Sequence, residues 1–183
     1  MRQLSYSPPP SLIIQTAIYI ASFTLIAYFT YYVPNYFFLE WFTAQHSASI
    51  LTALGIPSFA KAYDGMAFVN EVQIVKQCTG IQVVAVFAGL LIPLPQVGWK
   101  VKLQSIALIF FAVYLANVLR IVIELTLLYR GILPWSLAHE PLGTVLGIIS
   151  VAIFLITVDR FIPQIGDTIL RVYQILFGKK SKG

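Results

Sequence analysis

Apolar and polar positions fall along this chain in long blocks rather than in a fine alternation. Residues 12–33 are apolar and free of charge, and a helix needs about 20 such residues to cross a bilayer. The far end of this run, Tyr28-Phe29-Thr30-Tyr31-Tyr32-Val33-Pro34, is aromatic in the manner of a membrane interface. Residues 36–56 hold Glu40, Gln45, His46 and several Ser and Thr, a mixture that fits a helix lying at the interface better than a further span. Residues 61–77 are the most polar interior stretch, and 67–75 partly alternate apolar and polar, which predicts a short strand or hairpin. Three more apolar runs follow: 79–94, short for a span and closed by Pro93 and Pro95; 103–128; and 142–158. A basic amphipathic tail, 161–183, ends the sequence. The pattern predicts one all-α domain over residues 1–183. It is a polytopic membrane helix bundle of about four transmembrane helices, with an interfacial helix and a short outer-face hairpin.

Composition agrees. Of 183 residues, 58% are hydrophobic and 10% charged, whereas a soluble domain carries about a quarter charged residues. The first apolar run is too long for a signal-peptide core and has no convincing small-residue cleavage site, so it reads as a retained helix. The formal charge of +5 comes from 12 Lys and Arg against 7 Asp and Glu. These cations are not clustered with exposed aromatics, which argues against nucleic-acid binding; their placement reads instead as topology. Lys100 and Lys102 follow the second run, and Arg160, Arg171, Lys179, Lys180 and Lys182 follow the fourth. By the positive-inside rule these regions and Arg2 are cytoplasmic, with membrane lipids as the surroundings of the spans. Residues 34–78 and the loop from 130 to 140 then face outward, although Lys61, Lys76 and Arg130 lie there too.

This topology gathers three chemically capable residues. Cys78 begins the second span at its outer end, Arg120 lies near the outer end of the third, and His139 precedes the fourth. Cys78 is the sole cysteine, which excludes an intrachain disulfide or a thiolate metal cluster. A lone cysteine in an apolar protein is commonly an inert small hydrophobe. Here it sits in Lys76-Gln77-Cys78-Thr79-Gly80-Ile81-Gln82, at an expected helix start, where free N–H groups and the helix dipole would lower a thiol pKa and stabilise an oxyanion. Asn117, Arg120 and Glu124 share one helix face. Arg120 could snorkel or pair with Glu124 as structural glue, or hold a substrate carbonyl by charge-assisted hydrogen bonds. His139 precedes Glu140 and Pro141. A loop histidine is often merely solvated, yet its pKa suits a general base, with Glu140 to orient it. His46, the other histidine, offers no metal-ligand spacing with it, and no phosphate-binding glycine loop is present. No cofactor is called for.

Cys78-Thr79-Gly80-Ile81, Asn117-Val118-Leu119-Arg120-Ile121 and His139, in that order, resemble the signature of the exosortase/archaeosortase family of multi-pass membrane cysteine transpeptidases. Leu54-Gly55-Ile56-Pro57 resembles the stretch ahead of the family's cysteine, so the likeness covers residues 50–158. The resemblance implies Cys78 as nucleophile, Arg120 as the cation that stabilises substrate or oxyanion, and His139 as general acid/base. Thr79, Gly80, Gln82, Asn117, Glu124 and Glu140 would support the site or bind substrate. It also implies substrates: secreted or surface proteins with a C-terminal signal of motif, transmembrane helix and basic tail. These would be cleaved through an acyl-thioester and passed to a lipid or other envelope acceptor. Two other readings remain at this level: a membrane cysteine protease with water as acceptor, and a non-catalytic transport subunit or assembly scaffold.

Overall fold

Pro10 opens the first helix, α1 (Pro10–Tyr32), whose interior carries no charge or second proline, and the Val33-Pro34 pair follows its end. After it come α2 (Phe37–Ala53), β1 (Ala60–Tyr63), β2 (Met66–Val69), β3 (Val72–Ile74), a 3-10 turn (Lys76–Thr79), α3 (Ile81–Leu91), α4 (Trp99–Tyr129) and the single turn α5 (Trp135–Ala138). The computed structural model describes residues 10–138, 144–149, 152, 153 and 156. Residues 1–9, much of the expected fourth span, His139, Glu140 and the tail 161–183 lie outside these.

Two helices among the described residues are long and apolar enough to cross a membrane, α1 and α4. The 31 residues of α4 measure about 46 Å, more than the hydrocarbon thickness, whereas the 11 residues of α3 measure only about 16 Å. Large apolar side chains cover the outside of both long helices: Ile14 and Ile18 on α1 are 60% and 61% exposed, Leu108 and Phe111 on α4 64% and 68%. Soluble monomers rarely display apolar surface on this scale, and here it belongs against lipid.

α4 is the rod on which everything else is mounted. Along its first half, Ile109 and Val113 pack with Ile81, Val84, Phe87 and Leu91 of α3. α1 closes on the other side of α3. Gly89 makes that approach possible, because a Cβ there would stand 2.8 Å from the Phe23 carbonyl oxygen. Along the second half of α4, Val118, Ile121, Val122 and Leu125 form a separate cluster. It includes Ala44, Ala48 and Leu51 of α2 and Ala67, Val69 and Ile74 of the sheet. The molecule therefore has two tiers joined by one continuous helix, a lower tier with α3 and an upper tier with α2 and the sheet.

The sheet corrects two expectations. The chain is mostly helical rather than all-α, and the element expected as a short hairpin is a three-stranded antiparallel meander, β1-β2-β3. Two-residue turns make it compact. Asp64 and Gly65 both have positive φ (50° and 72°), as the mirror-image hairpin turn requires, and Asn70 (52°) begins the second turn. The register pairs Lys61 with Phe68 and then Phe68 with Gln73 on one face. On the other face Ala67 and Ile74 are paired and buried against the upper tier.

Candidate active site

Cys78 stands where the sheet ends and the α3 hairpin with α4 begins. Val75 prolongs β3 in extended conformation, and its carbonyl accepts the Cys78 amide at 2.7 Å, which folds the chain into the 3-10 turn. Thr79 locks that turn, its hydroxyl donating to the Lys76 carbonyl at 2.7 Å and accepting the Ile81 amide at 3.4 Å. Gly80 then takes the left-handed conformation at φ 73° and α3 starts at Ile81. Cys78 thus lies in its own turn ahead of α3, not at the helix start anticipated from sequence.

The turn is held on both sides. Gly80 presses on α4 so closely that a Cβ would come within 2.1 Å of Asn117 Nδ2 and 2.6 Å of Val113 Cγ1. Asn117 Nδ2 in turn donates to the Val113 carbonyl at 2.9 Å. On the other side Lys76 reaches the end of α1. Its ammonium donates to the Tyr31 carbonyl at 3.2 Å and lies 4.2, 5.3 and 6.0 Å from the ring centres of Tyr31, Tyr32 and Tyr36. These tyrosines form a cation-holding cage. Sequence reasoning named the aromatic belt but missed this role.

Cys78 is 7% exposed, in the upper-tier cluster. One α4 turn beyond Asn117, the Arg120 guanidinium lies close enough to the thiol to act on its ionisation, and its Nη1 pairs with Glu124 Oε1 at 3.3 Å. Arg120 and Glu124 side chains are 19% and 6% exposed, so this pair is largely withdrawn from water. Arg120 Nε has no hydrogen-bond partner among the described residues. The two alternatives for Arg120 merge: it is paired with Glu124 and also faces the thiol. A guanidinium so placed has donors to spare for an oxygen carrying negative charge.

Burial pushes the Cys78 thiol above its ordinary range. The Val75 backbone and the Arg120 guanidinium pull the other way, while Glu124 adds to the rise. The lowered pKa expected from a helix dipole is thus not realised, because desolvation of the anion outweighs the cation beside it. Nor is the Cys78 amide free to receive an oxyanion, since the turn uses it.

Other anticipated residues divide. Thr79, Gly80 and Asn117 are structural contacts of the turn. Gln82 bonds the Gln77 carbonyl at 3.3 Å on the exposed side. His139 and Glu140 lie outside the described residues; α5, which ends one residue earlier, packs against α4. His46 is engaged elsewhere, its Nδ1 2.7 Å from the Tyr114 hydroxyl at an apolar groove between α2 and α4.

The family model of the transmembrane exosortases (Exosortase_EpsH) matches residues 10–157. No curated protein and no solved structure matches the chain. The match takes in most of the sequence and every element described above, and the chain belongs to the transmembrane exosortase family.

Proposed function

We propose that this exosortase-family membrane protein is a cysteine transpeptidase with Cys78 as nucleophile, four spans and its site at the extracytoplasmic face. The observation that carries the reading is the meeting of the Cys78 thiol with the Arg120 guanidinium in a nearly dry pocket. The two come from different elements and are brought together by the Gly80–Asn117 contact.

A thiol whose pKa is raised is a resting acid, so its chemistry requires a base. His139 takes the proton from Cys78 Sγ as the sulfur attacks the carbonyl carbon of a peptide bond near the substrate's C-terminal transmembrane helix. The carbonyl oxygen gains the negative charge, and Arg120 receives it; Glu124 keeps the guanidinium oriented. Collapse breaks the C–N bond, His139 returns the proton to the leaving amine, and an acyl-thioester on Cys78 remains. A hydroxyl or amine of a lipid or envelope acceptor then attacks the thioester, loses its proton to His139, and regenerates the thiol.

The test is co-expression with a reporter ending in the motif, transmembrane helix and basic tail of an exported protein from the same genome. Cys78→Ala, Arg120→Ala and His139→Ala should each abolish processing while the protein still inserts. Processing by Cys78→Ala at the normal rate would sink the mechanism. The product mass separates transfer, which adds the acceptor, from hydrolysis, which adds water.

A further inference from the structure

Backbone N–H and C=O groups in a sheet alternate sides along each strand, so the register fixes which groups face outward. The two-residue turn after Val69 makes Val69 and Val72 a hydrogen-bonded pair, and Ala67 and Ile74 the next. Val72 and Ile74 therefore spend their backbone groups on β2. Gln73, between them, directs its N–H and C=O away from the sheet. Gln73 is exposed, and among the described residues nothing pairs with its backbone. An open edge of this kind is a template for another extended chain.

What lies further along the edge gives it a purpose. Val75 remains extended, so its backbone groups leave on the same side as those of Gln73. The nucleophile's turn occupies that position: the Val75 carbonyl accepts the Cys78 amide at 2.7 Å. Cys78 thus sits in the lane that a fourth strand would follow, about 7 Å beyond the open pair at Gln73. The opposite edge, β1, lies about 10 Å away across two strand spacings and leads to no reactive group.

We propose that the free edge of β3 at Gln73 binds the extended substrate segment carrying the scissile bond, pairing with its backbone as a fourth strand and delivering it to Cys78. This rests on the transpeptidase reading and adds the means of substrate capture to it. A peptide satisfies both open groups at once, whereas a lipid chain would leave them without partners. Backbone pairing holds the segment largely without regard to its side chains.

Proline supplies the test, because it deletes an N–H and is tolerated at a strand edge. Gln73→Pro removes the outward donor without touching the ladder to β2. Ala62→Pro makes the same change on the outer edge of β1. With the reporter described above, Gln73→Pro should lower kcat/KM roughly two- to tenfold, chiefly through KM, as the loss of one edge hydrogen bond predicts, and Ala62→Pro should not. A proline scan through the reporter residues preceding its helix needs no change in the enzyme. It should impair processing most at one position, the residue whose N–H meets the Gln73 carbonyl. A folded Gln73→Pro enzyme with unchanged kcat/KM would overturn the proposal, as would a scan in which no position stands out. Processing that persists in Cys78→Ala would instead overturn the transpeptidase reading beneath it.

Discussion

Gly80 and Asn117 are in contact so close that no side chain fits between them: a Cβ on residue 80 would meet Asn117 Nδ2 at 2.1 Å. This contact sets the nucleophile turn against α4 and so sets Cys78 beside Arg120. Gly80→Ala should cost about 1–2 kcal/mol for the left-handed backbone and about 1–3 kcal/mol more for overpacking. Thermal unfolding in detergent measures the sum. Adding Asn117→Ala should recover the share of the overpacking due to Asn117 and leave the backbone part and the 2.6 Å clash with Val113 Cγ1. If the double variant is no more stable than Gly80→Ala, the contact is not what excludes a side chain.

The thiol should alkylate slowly at neutral pH and gain rate well into the alkaline range, because burial raises its pKa. Arg120 opposes that rise, so Arg120→Ala should move the rate profile to still higher pH and slow alkylation at any fixed pH below it. Stability follows the same sign. The folded pKa lies above the unfolded one, so the contribution of the buried thiol is present below the ordinary thiol range and is lost as pH rises through the folded value. A profile unmoved by Arg120→Ala would mean that the guanidinium does not act on the sulfur.

Lys76 tethers the turn to α1 by one hydrogen bond and the three-tyrosine cage. Lys76→Met should lower stability by about 1–2 kcal/mol and weaken processing, and Lys76→Arg should restore much of both, since a guanidinium also stacks on aromatic rings. Equal behaviour of the two variants would remove the cation from the account.

A membrane-impermeant maleimide should reach Cys78, the sole thiol, from the extracytoplasmic side alone. Because Cys78 is 7% exposed, labelling should be slow until mild denaturant opens the upper tier. Labelling from the cytoplasmic side only would invert the proposed topology.

Much of this was legible in the sequence, and for identifiable reasons. α1 and α4 announce themselves by length and by lack of charge, which depend on no partner. The meeting of Cys78 with Arg120 followed from counting residues along a helix of known rise. β1 went unseen because Ala60–Tyr63 is too short to show a period, although Asp64-Gly65 just after it is a strong hairpin signal. The state of the thiol was misjudged because desolvation is set by Ala44, Ala48, Ile74, Val118 and Ile121, residues from three elements that no local reading assembles. The closeness of Gly80 to Asn117 is a long-range property of the same kind.

The unbroken run of α4 through both tiers has one more consequence. Lys102, at the start of the lower tier, is fixed by a 2.6 Å hydrogen bond to the Ile92 carbonyl. Arg120 stands 18 residues further along the same rod, about 27 Å away. The helix is unbroken between them, so the distance of Arg120 from Lys102 along the rod is fixed. Under the proposed function that fixed distance would act as a gauge: a reporter whose apolar helix is lengthened by a turn should be processed more slowly, because its scissile bond would be carried past the thiol.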